Sequence, residues 1–457
     1  MSRATPAVLT VPQAPQAFHV MAKPTGAVCN LDCEYCFFLS KEQLYPDGSF
    51  RMSPEVHEAY IRQLLAAHPD DAEVVVAFQG GEPTMMGLEF FRRSVELQRQ
   101  FAQPGQRVLN ALQTNGTMLD DSWGEFLAEH GFLVGISIDG PAELHDAYRV
   151  DKGGKPTFER VMRGLDVLRR HGVDWNALTT IHAANERHGR RVYTFLRDEC
   201  GATFMQFIPI VERATDQVLP LLDAGHRLRP ADRPLYLQQG ANVSHRSVDP
   251  AGYGRFLIDV FEEWIRRDVG AVFVQDFDSA LAHWLGMDQA GICVHAKTCG
   301  TQIALEHNGD VYSCDHFVEP EYLLGNIGPG GRTLLDLVTL PQQRQFGQDK
   351  HDSLTRYCLD CDVRFACNGG CPKDRFAITP DGESGLHYLC AGYQAFFRHI
   401  DPTMKSMADL LRRRQPAADL MSAVQRDDLQ RPRNSPCPCG SGLKWKHCHG
   451  TSVDRAR

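Results

Sequence analysis

VCNLDCEYCFF, residues 28 to 38, places three cysteines, Cys29, Cys33 and Cys36, within eight residues, with Tyr35 between the last two. No neighbouring His or Cys is placed to complete a four-ligand site, and Asp32 is a poor partner for soft thiolates. Two chemistries stay open on this spacing. Zinc could take the three thiolates with a remote fourth ligand, since structural zinc wants a closed set of four. A [4Fe-4S] cluster could take the same thiolates and leave one iron free for an exogenous chelator, and the all-thiolate set favours it.

The segments around this loop decide the fold. AFHVMA (17–22) before it reads as a strand, and EVVVAFQ (73–79), RVLNALQ (107–113), FLVGISID (132–139), WNALTTIH (175–182) and FMQFIPI (204–210) follow. Helix signals separate them. Ser53-Pro54 is a cap and first-turn pair before Val56, Tyr60, Leu64 and Leu65, and Thr157 opens a periodic run through Phe158, Val161, Met162, Leu165 and Leu168 to Gly172. Six strands alternating with helices predict parallel βαβ units, an α/β open sheet or a full or partial barrel. Chemistry in barrels sits in the loops after the strands, which is where the cysteine loop falls.

The chain of 457 residues is long enough for two or three domains at roughly 150 residues each. A net charge of -9 argues against general nucleic-acid binding, which needs clustered Lys and Arg. No apolar run reaches the length of a signal-peptide core or a membrane span, so a cytoplasmic protein is expected, without membrane or nucleic-acid partners. Fifteen cysteines in short-spaced groups then read as metal ligands rather than disulfides. The divisions expected are a barrel over 15–215, a connecting helical segment over 216–290 and a cysteine-rich α+β unit over 291–400. After it come a helix end and linker over 401–434 and a metal-binding tail over 435–450. Within the third unit, TQIALEHNGDVYSCDHF (301–317) reads as a hairpin around Asn308-Gly309. Residues 412–436 carry little apolar content and read as a partly disordered linker.

The motifs resemble those of the radical S-adenosylmethionine (SAM) superfamily. CNLDCEYC matches its CxxxCxxC signature. GGEPT at Gly80, Gly81, Glu82, Pro83 and Thr84 resembles its segment for the methionine amino group. Ser137 and Asp139 in SIDG resemble its ribose-contacting positions, and Arg149 in HDAYR its SAM carboxylate partner, a role suited to a guanidinium fork. Tyr35 and Val211 complete the SAM-contacting set that the resemblance implies. It also implies a partial (β/α)6 barrel.

A second group holds Cys293, Cys299, Cys314, Cys358, Cys361, Cys367, Cys371 and Cys390, enough for two four-thiolate sites. Spacing alone leaves two zinc ions or two iron-sulfur clusters open. The pattern resembles the SPASM domain, which implies two auxiliary [4Fe-4S] clusters with crossed ligation: Cys293, Cys299, Cys314 and Cys371 on one, Cys358, Cys361, Cys367 and Cys390 on the other. A third group, Cys437, Cys439, Cys448 and His449, offers four ligands in thirteen residues and reads as a closed zinc site. It resembles the SEC-C motif. Cys200, outside all three groups, reads as a small buried residue.

Within SPASM proteins the chain is similar to the anaerobic sulfatase-maturating enzymes, on the full eight-cysteine set, QTNG at Gln113 to Gly116, and Asp315 directly after Cys314. The resemblance implies radical SAM-dependent oxidation of a cysteine or serine in a sulfatase to 3-oxoalanine (Cα-formylglycine). It implies three [4Fe-4S] clusters, SAM, a reducing electron donor and a protein substrate carrying CxPxR or SxPxR. Asp315 would be the general base. The rival readings are a SPASM maturase acting on a ribosomally synthesised peptide and, from another class, a zinc-rich binding protein that never holds iron.

Overall fold

The structure, a computed structural model, describes residues 18–450 other than 47, 225–227, 229–231 and 288–290. Six strands, β1 (His19–Lys23), β2 (Glu73–Phe78), β3 (Arg107–Thr114), β4 (Phe132–Ser137), β5 (Trp175–Ile181) and β6 (Phe204–Pro209), lie side by side in chain order. Every neighbouring pair is parallel. Helices such as Pro54–Ala66, Leu88–Phe101 and Phe158–Arg170 carry the chain back between strands, as parallel pairing requires. Ser53 caps the first of them by accepting from Val56 N at 3.3 Å, and that helix buries Val56, Tyr60, Leu64 and Leu65. The helix Phe158–Arg170 buries Val161, Leu165 and Leu168 and stops before Gly172, which adopts a positive φ of 65°. The partial α/β barrel expected from the alternation is the one observed.

Beyond β6, β7 (Arg213–Ala214) and β8 (Asn242–Val243) form a small antiparallel pair. β9 (Phe273–Val274) then returns to the main sheet beside β6. The hairpin around Asn308-Gly309 is β10 (Gln302–Glu306) and β11 (Asp310–Tyr312), followed by β12 (Leu323–Asn326). β10 pairs in parallel with β1 from His19–Gln302 to Lys23–Glu306. The cysteine-rich unit therefore continues the barrel's own sheet and covers the edge that β1 would leave open, giving ten strands in all. A last pair, β13 (Ala377–Ile378) and β14 (Ser384–Leu386), lies within that unit.

The helices Pro250–Arg267, Gln275–Trp284 and Cys390–Arg412 pack against one another through Phe261, Phe277 and Phe396. Gly254 and Gly392 let two of them touch at the backbone: a Cβ on Gly254 would lie 2.6 Å from Gly392 Cα. Cys200 is buried, as expected. The disordered linker expected over 412–436 is not observed. Leu420–Gln430 is a helix docked on Pro250–Arg267, where Arg266 donates to Asp428 at 2.7 Å and Gln425 to the Arg266 carbonyl at 2.8 Å. Leu420, Met421 and Val424 pack half-buried against the core beside these ionic contacts, too few apolar residues for a composition count to reveal the helix. No helix among the described residues is long and apolar enough to cross a membrane.

Candidate active site

The loop after β1 folds tightly around its three cysteines. Cys36 N donates to Cys33 O at 3.0 Å and Leu31 N to Cys29 Sγ at 3.3 Å. The HDAYR segment clamps it from outside, with Asp32 N bonded to Val150 O and Glu34 N to Tyr148 O. Asp32 is held by Arg233 at 2.7 and 2.9 Å, so it is occupied elsewhere, in keeping with its poor match to thiolates. Burial pushes the Cys33 thiol up to about 12 and raises Cys29 and Cys36 as well. Without a cation the three buried thiols stay protonated; a bound metal cluster would supply the positive charge that lets them ionise, and the all-sulfur donor set fits one.

GGEPT packs onto this loop by backbone. Gly81 N donates to Gly26 O at 2.8 Å and Glu82 N to Val28 O at 3.0 Å. A Cβ on Gly81 would sit 1.9 Å from Val28 O, and Gly80 has φ +130°, so neither position tolerates a side chain easily. Glu82, fully buried, accepts from Thr84 N, Thr84 Oγ1, Thr114 Oγ1 and Asn115 N at 2.6 to 3.0 Å. Its carboxylate is thus the brace of the β2 and β3 loops, with Oε1 taking three of these donors and Oε2 one. From QTNG, Asn115 Nδ2 donates to Asn30 Oδ1 at 2.8 Å and lies 3.7 Å from Cys29 Sγ.

Asp139 is likewise engaged by protein donors. Its oxygens accept from Arg149 Nε at 2.7 Å, Arg149 Nη2 at 3.2 Å, Tyr35 Oη at 2.5 Å and Thr180 N at 2.8 Å. Burial alone would raise its pKa, but Arg149 and His182 beside it outweigh that and hold the carboxyl below the usual range. Asp139 therefore positions Arg149 and Tyr35 rather than offering a free acceptor. Ser137 ends β4 half-buried with no hydrogen-bond partner for its hydroxyl among the described residues, and Val211 is buried just after β6. Both remain available to a ligand.

Asp315 meets Lys23, the last residue of β1, in an ion pair. Lys23 is 2% exposed and its ammonium lies 3.9 Å from the centre of the Phe38 ring. Burial pushes the Asp315 carboxyl up, but Lys23, His316 and a hydrogen bond from Gln79 bring it below its ordinary value. The carboxylate is thus kept ionised between the ends of β1 and β2 and the cysteine loop, whose Phe37 ring packs on His316 at 5.5 Å. Lys23 was invisible as a site residue in the sequence; a lysine ending an apolar strand was the one available signal.

The eight later cysteines fall into two sets by mutual electrostatic influence. Cys314 feels Cys371 and Cys293, and Cys299 feels Cys293. Cys367 feels Cys390, Cys358 and Cys361. The tail differs in scale: Cys437, Cys439, Cys448 and His449 place four ligand atoms within 4.8 Å of one another, and no other such group occurs among the described residues. Tetrahedral bonds of about 2.3 Å set ligand atoms about 3.8 Å apart, so the tail suits a single ion. The tail is also anchored: Arg255 donates to Cys439 O, and Arg266 and Arg431 flank the Trp445 ring at 5.4 and 5.5 Å.

Three family models match the chain: the Radical SAM superfamily over residues 24–196, the SPASM iron-sulfur cluster-binding domain over 293–362 and the SEC-C motif over 433–451. A serine-type anaerobic sulfatase-maturating enzyme of Bacteroides thetaiotaomicron is 44% identical over 413 residues, covering 90% of this chain and 96% of that one. A cysteine-type enzyme of Clostridium perfringens is 32% identical over 393 residues, covering 85% and 98%. The solved structure of native anSMEcpe with bound AdoMet and Cp18Cys peptide superposes with a TM-score of 0.72 at 30% identity, covering 86% of this chain and 99% of that one.

Proposed function

The chain belongs to the anaerobic sulfatase-maturating enzymes of the radical SAM superfamily, and from that membership we propose that it oxidises a cysteine or serine of a sulfatase to Cα-formylglycine. It is an oxidoreductase of the SAM and iron-sulfur type acting on a peptide or protein. The finer reading gives it three [4Fe-4S] clusters, on Cys29, Cys33 and Cys36, on Cys293, Cys299, Cys314 and Cys371, and on Cys358, Cys361, Cys367 and Cys390. A zinc ion belongs to the tail. The substrate segment carries CxPxR or SxPxR, and a reducing protein supplies electrons.

When bound, SAM and the clusters supply hydrogen-atom removal from the substrate β-carbon and a sink for one electron. The chain's own residues do the rest. Tyr35 and Arg149, locked by Asp139, and the backbone of Gly80 and Gly81 form the walls against which SAM is oriented, with Ser137 and Val211 lining the strand ends. Asp315, ionised by its pairing with Lys23, accepts the proton of the substrate thiol or hydroxyl. Loss of that proton, one hydrogen atom and one electron leaves a carbon-heteroatom double bond. Serine gives the aldehyde directly, and cysteine gives it after water replaces sulfur.

The observation that carries this reading is the Lys23–Asp315 pair, which sets an ionised carboxylate from the hairpin against the cysteine loop. Asp315→Asn tests it on a peptide with either sulfatase motif, read by mass spectrometry. SAM cleavage should persist while aldehyde formation falls by about 10²- to 10⁴-fold. Unchanged turnover would remove Asp315 from the mechanism, and a wild-type chain inert on both peptides would refute the substrate assignment.

A further inference from the structure

Lys350 is fully buried in the helix Pro341–Asp352, whose sequence PQQRQFGQDKHD reads as a solvated surface helix. Its buried face is Gln343, Gly347 and Lys350, one helical stripe with no large apolar residue. All three hold the loop from Cys293 to Gly300 that opens the eight-cysteine unit. Gln343 donates to Gly300 O at 2.8 Å and Ser313 O at 3.0 Å, and a Cβ on Gly347 would come 2.3 Å from Cys299 O. Lys350 Nζ donates to the carbonyls of Cys293, Val294 and Ala296 at 2.5, 2.9 and 2.5 Å.

Three acceptors match the three protons of an ammonium, and a neutral amine has only two. A buried ammonium needs a counter-charge. No carboxylate pairs with Lys350 among the described residues, whereas Asp315 has Lys23 and Asp374 has Lys373. Burial lowers the pKa of Lys350, and Cys299, Cys371 and Cys293, three of the four ligands of one site, work against that shift once they are ionised. Its partner is therefore the charge of that site as a whole.

We propose that Lys350 is a positioning residue for the site formed by Cys293, Cys299, Cys314 and Cys371, shaping its loop and favouring its reduced state with a fixed positive charge. This rests on the reading of that site as an iron-sulfur cluster. Adding one electron makes a four-thiolate cluster more negative, so an uncompensated cation beside it stabilises the reduced form. The residue thus assigns this site, beside Asp315, as the one prepared to take the substrate's electron.

The test compares the anaerobically reconstituted full-length wild type with Lys350→Gln and Lys350→Arg, by iron content and by redox titration followed with electron paramagnetic resonance. Lys350→Gln should keep its iron and disfavour reduction of one cluster by about tenfold or more, about 59 mV for one electron, with the other two unmoved. Lys350→Arg should titrate like wild type. If Lys350→Gln loses the irons of one site while Lys350→Arg keeps them, the charge is required even for assembly, and the proposal stands. Unmoved potentials in iron-replete Lys350→Gln, or equal iron loss in both variants, would overturn it. A wild type that takes zinc and no iron at these cysteines would instead refute the cluster reading on which the proposal stands.

Discussion

Gly81→Ala is the smallest change that should separate the radical loop from its partner. The added Cβ would lie 1.9 Å from Val28 O and 2.4 Å from Val28 C, both backbone atoms that cannot rotate away. Ordinary contact begins near 3.4 Å, so the two loops must part by about 1.5 Å. That displacement breaks the Gly81–Gly26 and Glu82–Val28 hydrogen bonds, at about 1 kcal/mol each, on top of an overpacking cost of about 1 to 3 kcal/mol. A shift of that size in a positioning loop costs about 10²-fold in rate. The assay is SAM cleavage under a strong reductant together with aldehyde formation on a sulfatase peptide, with iron content measured on the same samples. Gly154→Ala is the control: its φ is +71° but nothing lies within 4 Å of the new Cβ, and its activity should stay near wild type. If Gly81→Ala cleaves SAM within about threefold of wild type, the close approach of the two loops does not position the cofactor and the reasoning fails.

Lys23→Met removes the cation that holds Asp315 ionised, so aldehyde formation should fall by about 10- to 10²-fold while SAM cleavage persists; parallel loss of both would make Lys23 merely structural. Cys448→Ser should lose the tail's metal and, because a peptide this short cannot bury a core of its own, release Trp445 to solvent and open the tail to protease; zinc analysis and tryptophan fluorescence read this, and an intact tail without metal would refute it. Burial would raise the Glu262 pKa, but His399 and Arg266 lower it to about 2. A depressed carboxylate stabilises the fold above its unfolded pKa and loses that contribution as pH falls through the folded one, so about 3 kcal/mol should disappear between about pH 4.5 and about pH 2. Glu262→Gln should be less stable at neutral pH and flatter in acid, by urea midpoints; identical acid profiles would refute the assignment.

The strands, the cysteine loop and the hairpin were legible because each is a local pattern: alternation of elements, CxxxCxxC, Asn-Gly between two short strands. The residues that hold the site were not. Lys23 and Lys350 are ordinary surface types in the sequence, and only the fold shows that one ends a buried strand against a carboxylate and the other faces a loop of carbonyls. Glu82 and Asp139 were legible as site residues, but a motif shows where a carboxylate stands and not how many protein donors already surround it. The helix Leu420–Gln430 was missed for a related reason, since its short apolar set, Leu420, Met421 and Val424, is joined by a buried ion pair between Arg266 and Asp428, each under 10% exposed, that the sequence does not show.

The pairing of β1 with β10 explains why these hidden residues matter together. β1 ends in Lys23 and leads directly into the cysteine loop, while the β10–β11 hairpin leads directly into Cys314 and Asp315. On the proposed mechanism the two loops act on one carbon atom, and they are mounted on adjacent strands of one sheet, with five residues in register. A flexible tether would let the base and the radical loop drift by several ångströms, which proximity effects of the size expected in catalysis do not tolerate. The ion pair between Lys23 and Asp315 closes the arrangement from the side-chain end. The same cation that ionises the base also fixes where the hairpin sits, so electrostatics and register enforce one geometry. On this view the sheet edge at β1 is as much a part of the catalytic apparatus as the cysteines.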